Sequence, residues 1–151
     1  MQPTATGNDL SLRITHEIRV QAPIEVTFDA LLEELGPSHQ VADDRSLPMK
    51  LEARPGGRWY RDLGEDNGHL WGHVQAIKRP TLLEIWGPLF MSFAAVSNLQ
   101  YRLTPIEGGT LITFVHSAIG LIPDDVRTGM GSGWTYSHER IKKTAERAAR
   151  K

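Results

Sequence analysis

The spacing of apolar residues changes period early in the chain. Leu12, Ile14, His16, Ile18 and Val20 alternate with Arg13, Thr15, Glu17 and Arg19, and a period of two predicts a strand with one buried face. Ala22-Pro23 ends it, and Pro is favoured in the first turn of a helix, where its missing N–H is not needed. Ile24, Phe28, Leu31, Leu32 and Leu35 then fall at i, i+4, i+7, i+8 and i+11. That is the stripe of an amphipathic helix, and Gly36-Pro37 stops it. Residues 38–48 are polar and read as a loop or a short second helix.

The middle of the chain returns to strand patterns. Met49 to Arg54 alternates, Pro55-Gly56-Gly57 interrupts, and Arg58 to Leu63 resumes. A Gly pair inside such a pattern predicts a bulge or a tight bend. After a hairpin loop at Gly64–Gly68, further strands run over His69–Ile77, Thr81–Trp86, Val96–Leu103 and Thr110–His116, with turns at Lys78-Arg79-Pro80 and Pro105–Gly109. Burying both Val74 and Ile77 requires a bulge near Gln75-Ala76, which leaves the facing of Trp71 and Trp86 open. Residues 117–130 read as a connection with a helical turn at Asp124–Arg127. Ser132 is the expected N-cap of a long last helix with Trp134, His138, Ile141, Ala145 and Ala148 on one face. A run of antiparallel strands buries one face, so something must cover it. The pattern predicts an α+β fold: a curved antiparallel sheet of about six or seven strands wrapped around a long C-terminal helix. Residues 1–10 read as a flexible tail and 11–151 as one domain.

Composition narrows the chemistry. The 151 residues contain no Cys, which excludes disulfides, thiolate metal sites and cysteine nucleophiles. A formal net charge of -1 gives no basic field for nucleic-acid backbones. Six basic and two acidic residues lie between Glu139 and Lys151, where cations complement the dipole of a helix end. No apolar run approaches the roughly 20 residues of a membrane span, and the start of the chain has no signal-peptide pattern. The expected localisation is cytoplasmic.

Several motifs resemble the SRPBCC, or START-like, helix-grip superfamily, with the nearest likeness to its branch named after the activator of a heat-shock chaperone ATPase. They are Ala22-Pro23-Ile24, Gly56-Gly57-Arg58-Trp59, Gly72-His73-Val74 with Ile77 and Pro80, Pro105 with Gly108-Gly109-Thr110-Leu111, and Gly133-Trp134. Each is weak alone; their order and spacing over residues 12–145 are more specific. The resemblance implies the helix-grip fold with a cavity between sheet and C-terminal helix. The superfamily includes lipid carriers, hormone receptors, and polyketide cyclases and dehydratases, so it does not fix an activity. This chain departs from the pattern in its apolar segment Gly87–Phe93 and in His138, where many relatives are aliphatic. The partner domain of the chaperone activator is not expected here, which counts against a chaperone role.

Among the six histidines, His69 and His73 have metal-ligand spacing only on a helix. On a strand they lie roughly 13 Å apart, too wide for ligands at about 2 Å, and no metal or cofactor is expected. His116 shares the parity of Ile112 and Phe114, and His138 lies on the apolar stripe of the helix. Both are expected to reach the cavity, or else to be core histidines with one hydrogen bond each. Trp59 and Arg61 share one face of a strand, where Arg61 suits an anionic ligand group or a salt bridge. Tyr101 can present its hydroxyl to a ligand or to a backbone partner. The expected ligand-binding set is therefore Trp59, Arg61, Tyr101, Phe114, His116, Trp134 and His138. Leu89, Phe90, Met91 and Phe93 form either a homodimer contact or a loop sealing the barrel mouth. Gly129, Gly131 and Gly133 match no nucleotide fingerprint and are expected to permit the turn into the helix.

The expected function is reversible binding of a small hydrophobic or amphipathic molecule. A second expectation is a cyclase- or dehydratase-like enzyme in which His116 and His138 face one another across a water-accessible cavity. A third is a chaperone-associated interaction protein working through the Leu89–Phe93 surface.

Overall fold

The computed structural model describes residues 10–151. The alternating segment is strand β1 (Ser11–Val20) and the amphipathic segment is helix α1 (Ile24–Leu35). Two short strands, β2 (Gln40–Val41) and β3 (Arg45–Ser46), pair as a small hairpin. Strands β4 (Lys50–Leu51), β5 (Arg58–Gly64), β6 (Asn67–Lys78), β7 (Leu82–Gly87), β8 (Ala95–Ile106) and β9 (Gly109–Gly120) follow, and helix α2 (Asp124–Ala149) ends the fold. The main sheet is antiparallel with seven strands in the order β1-β9-β8-β7-β6-β5-β4. This is the expected α+β architecture, a curved sheet around a long helix. The expected tail over residues 1–10 lies outside the described residues except for Leu10, whose carbonyl accepts a hydrogen bond from the Gly120 amide.

Two bulges set which side chains reach the concave face. The β5–β6 register passes from Trp59 opposite Gly72 to Tyr60 opposite Leu70, so Trp71 is the extra residue. It turns inward and is 6% exposed. The β6–β7 register shifts between Val74 and Ala76, where the sequence requires a bulge. Trp86 faces outward, 46% exposed, and stacks on His73. Gly72 and Gly87 bring β6 and β7 together backbone to backbone. A Cβ on Gly87, whose φ is +153°, would lie 2.5 Å from Gly72 Cα and from the Trp71 carbonyl oxygen. That close approach lets the Leu89 amide donate to the Trp71 carbonyl at 2.7 Å, which folds the following loop over the sheet end.

Helix α2 begins earlier than its apolar stripe suggests. It starts after Pro123, with Asp124 and Asp125 in its first turn, where acids favour the helix dipole. Ser132 is inside the helix and its hydroxyl donates to the Gly129 carbonyl, so it is not an N-cap. The buried stripe is Met130, Trp134, His138, Ile141 and Ala145; Ala148 is exposed. Helix α1 packs on α2 through Glu34, a buried carboxylate held by Arg140 at 2.8 Å and by the Thr144 hydroxyl at 2.9 Å. Among the described residues no helix is long and apolar enough to cross a membrane.

Candidate functional site

A cavity of about 380 Å³ opens at one end of the concave face, between the β2–β3 hairpin, β5–β6 and the first half of α2. Its wall is mainly rings: Trp59, Trp71, Phe90 and Trp134. Trp71 meets Trp59 edge to face with ring centres 5.1 Å apart, and meets Phe90 at 5.8 Å. Leu47, Val126 and Met130 add aliphatic surface.

The three indoles present no donor to this space. Trp59 Nε1 donates to the Leu35 carbonyl at 2.7 Å, Trp71 Nε1 to His69 Nδ1 at 3.1 Å and Trp134 Nε1 to His116 Nδ1 at 3.0 Å. A buried indole N–H needs such a partner, and with all three occupied the cavity sees ring carbon. Gly129 and Gly133, one helical turn apart, also line it. A Cβ at either would meet nothing within 4 Å. Glycine inside a helix costs roughly 0.5–1 kcal/mol relative to Ala, and here its effect is space next to Trp134. These glycines sit within α2, not at the turn into it.

Five of the seven expected binding residues do not line the cavity. Tyr101, Phe114, His116 and His138 form a closed cluster deeper in the core, each no more than 2% exposed. His116 accepts at Nδ1 from Trp134, and its Nε2 donates to Ser97 Oγ at 2.9 Å. His138 Nε2 pairs with the Tyr101 hydroxyl at 3.0 Å, and its Nδ1 lies 3.2 Å from His16 Nδ1. Desolvation by burial holds the His116 pKa down at about 4 and that of His138 at about 3, with the His16 charge a smaller cause for the latter. Burial pushes the Tyr101 phenol above its usual range. Trp134 lies between the two histidines, stacked 5.7 Å from His138 and edge-on 5.5 Å from His116. They do not face one another across a cavity. His138 does reach an open groove between β1 and α2, beside His16, Glu17 and Lys142.

Arg61 keeps the parity of Trp59 but lies opposite His69, toward the β5–β6 loop, and borders a surface pocket with Tyr60, Asp62 and Glu65. It is not on the cavity wall. Leu89 and Met91 are 0% and 2% exposed and belong to the core. They cannot form the apolar dimer face expected of them; Phe90 alone of the four is strongly exposed, and it borders the cavity. His69 accepts from Trp71, and no group of three or more metal-ligating side chains exists among the described residues.

The sequence reading passed over His39. It sits in the polar stretch after Gly36-Pro37, which has no periodicity to show a buried side chain. The β2–β3 hairpin folds it inward: it is 6% exposed, lies edge to face with Trp71 at 5.5 Å, and lines the cavity. Trp71 was hidden by its bulge.

An antiparallel sheet gripping a C-terminal helix, with an apolar cavity at one end, is the helix-grip architecture of the SRPBCC/START-like superfamily. Within it, residues 21–146 match the family model described as Activator of Hsp90 ATPase homolog 1-like protein, and the chain belongs to that family. None of the curated proteins matches it. The fold is similar to that of an uncharacterized protein from Rhizobium leguminosarum, at 18% identity, with 91% of this chain and 95% of that one covered and a TM-score of 0.71. A Bacillus halodurans protein solved in solution is 22% identical over 91% of this chain and 99% of its own, with a TM-score of 0.65. StfQ, a di-domain aromatase/cyclase from the steffimycin biosynthetic pathway, is 11% identical, with a TM-score of 0.66. There the match covers 95% of this chain and 53% of StfQ.

Proposed function

We propose that this protein reversibly binds a small hydrophobic or amphipathic molecule in the cavity walled by Trp59, Trp71, Phe90 and Trp134, acting in the cytoplasm. The observation that carries this reading is the cavity of about 380 Å³ whose indole N–H groups are all turned to protein partners. Small-molecule sites run from about 300 to 1,000 Å³ and are lined by apolar and aromatic side chains with few polar groups. Three features keep this space open. The Trp71 bulge brings in a wall, the Gly72–Gly87 contact folds Phe90 over it, and Gly129 and Gly133 leave α2 bare beside it.

A cyclase-type reaction draws no support from His116 and His138, whose ring nitrogens are all paired with protein groups. The test is a calorimetric titration with the methyl ether of naphthol, an uncharged bicyclic probe without a donor. The wild type is expected to bind it, and Gly133→Leu, which extends a side chain into the cavity, to lose binding while unfolding cooperatively. Absence of binding by the wild type, or equal binding by a folded Gly133→Leu variant, would contradict the proposal.

A further inference from the structure

The cavity wall holds a buried imidazole, His39, whose state follows from its partner. His39 Nδ1 lies 3.2 Å from the Leu47 carbonyl oxygen. A carbonyl only accepts, so Nδ1 carries the proton, and in the neutral ring Nε2 is then an acceptor. No described residue donates to Nε2, yet among the described residues no fully enclosed side-chain nitrogen or oxygen lacks a partner. Nε2 is therefore open to space. With His39 only 6% exposed and its ring on the cavity wall, that space is the cavity.

The charges around this nitrogen are one-sided. Among the described residues no Lys or Arg lines the cavity, and the one charged wall residue is Asp125, whose carboxylate is exposed. Arg140 is the cation whose field reaches His39, but Glu34 holds it, and it is not on the wall. Burial, opposed by the Leu47 bond and assisted by Arg140, lowers the His39 pKa, so the ring stays neutral at pH 7. Gln40 and Ser137 are the remaining polar wall residues, and both are half-exposed.

Resting on the binding function proposed above, we infer that His39 Nε2 is the polar anchor of the site, and that the cavity selects apolar, ring-bearing molecules with a neutral hydroxyl or N–H donor over carboxylates. A donor satisfies the buried acceptor, which otherwise costs free energy when an apolar ligand displaces its solvent. A carboxylate brings an anion to an acceptor and an acid with no buried cation to pair it.

Naphthol, its methyl ether and naphthoate separate these ideas at pH 7, where the phenol is neutral. Naphthol is expected to bind about five- to tenfold more tightly than the ether, the usual difference for one neutral hydrogen bond, and naphthoate to bind more weakly than either. His39→Phe is expected to erase the naphthol preference and to tighten binding of the ether, which loses no hydrogen bond and no longer strips solvent from a buried acceptor. In the wild type, the ¹⁵N resonance of His39 Nε2 is expected to move to the position of an unbonded imine nitrogen when the ether displaces its solvent, and to keep the position of a hydrogen-bonded one with naphthol. That reading does not depend on the variant's folding. Binding of the ether with no preference for naphthol, or the same resonance position with naphthol as with the ether, would overturn the anchor and leave the cavity intact. Failure of the ether itself to bind would remove the binding function and the anchor with it.

Discussion

Trp134 belongs to two clusters of rings that use similar residues to opposite ends. In the closed one, Phe114 sits 4.8 Å from Tyr101, 4.4 Å from His138 and 4.9 Å from Trp134, and both buried histidines use each ring nitrogen on a protein group. In the open one, Trp59, Trp71, Phe90 and His39 enclose space, and His39 spends one nitrogen on the chain. The difference lies in what stands opposite the rings. Into the closed cluster α2 sends His138; beside the open one it carries Gly129 and Gly133 next to Trp134. A buried histidine is therefore no marker of a site by itself. The marker is a nitrogen left without a protein partner.

The contrast can be broken hardest from the closed side. Phe114→Ala removes the ring all its neighbours touch and is expected to destabilise the protein by about 3–5 kcal/mol, measured by urea unfolding. A loss under about 1 kcal/mol would mean that this cluster is loosely packed.

Acid should open the same cluster. Its histidines are neutral in the fold and protonate near pH 6.5 in the unfolded chain. The unfolded state binds more protons as pH falls through that value, so stability is complete above about pH 6.5 and declines toward pH 4. His116 alone, held down at about 4, contributes on the order of 3 kcal/mol to that loss at about 1.4 kcal/mol per pH unit. Urea midpoints at pH 7.5 and pH 4.5 check this, and equal midpoints would contradict it.

On the open side, effects on stability are small and favourable. Gly129→Ala places a methyl where nothing lies within 4 Å and should stabilise α2 by about 0.5–1 kcal/mol, seen as a higher midpoint. Arg61→Ala is expected to change stability by less than about 0.5 kcal/mol and to leave binding of the naphthol ether unaltered. A loss of binding there would extend the site to the β5–β6 loop.

How legible these regions were depends on period. β1, α1 and the lower part of α2 carry regular apolar spacing, and the sequence reading locates them. The run of neighbours from β4 to β9 follows from the turns between them, whereas the pairing of β1 with β9 joins the two ends of the chain and has no signal in the spacing. The cavity wall was obscured because its residues break period. Trp71 enters through a bulge that shifts parity, and His39 immediately precedes the two-residue strand β2 inside a polar stretch. Gly129 and Gly133 read as a loop because a helix rarely spends glycines in its interior. Parity alone placed His116 and His138 on the inner face, which they occupy. It could not show that Ser97, Tyr101, His16 and Trp134 use up their nitrogens.

The most direct test of the cavity is an indole N–H spectrum. The chain has four tryptophans; three line the cavity and Trp86 lies on the outer face. Titration with the naphthol ether is predicted to shift the Nε1–H signals of Trp59, Trp71 and Trp134 saturably while Trp86 stays fixed. Movement of Trp86 alone, or of none of the four, would contradict a binding site inside this fold.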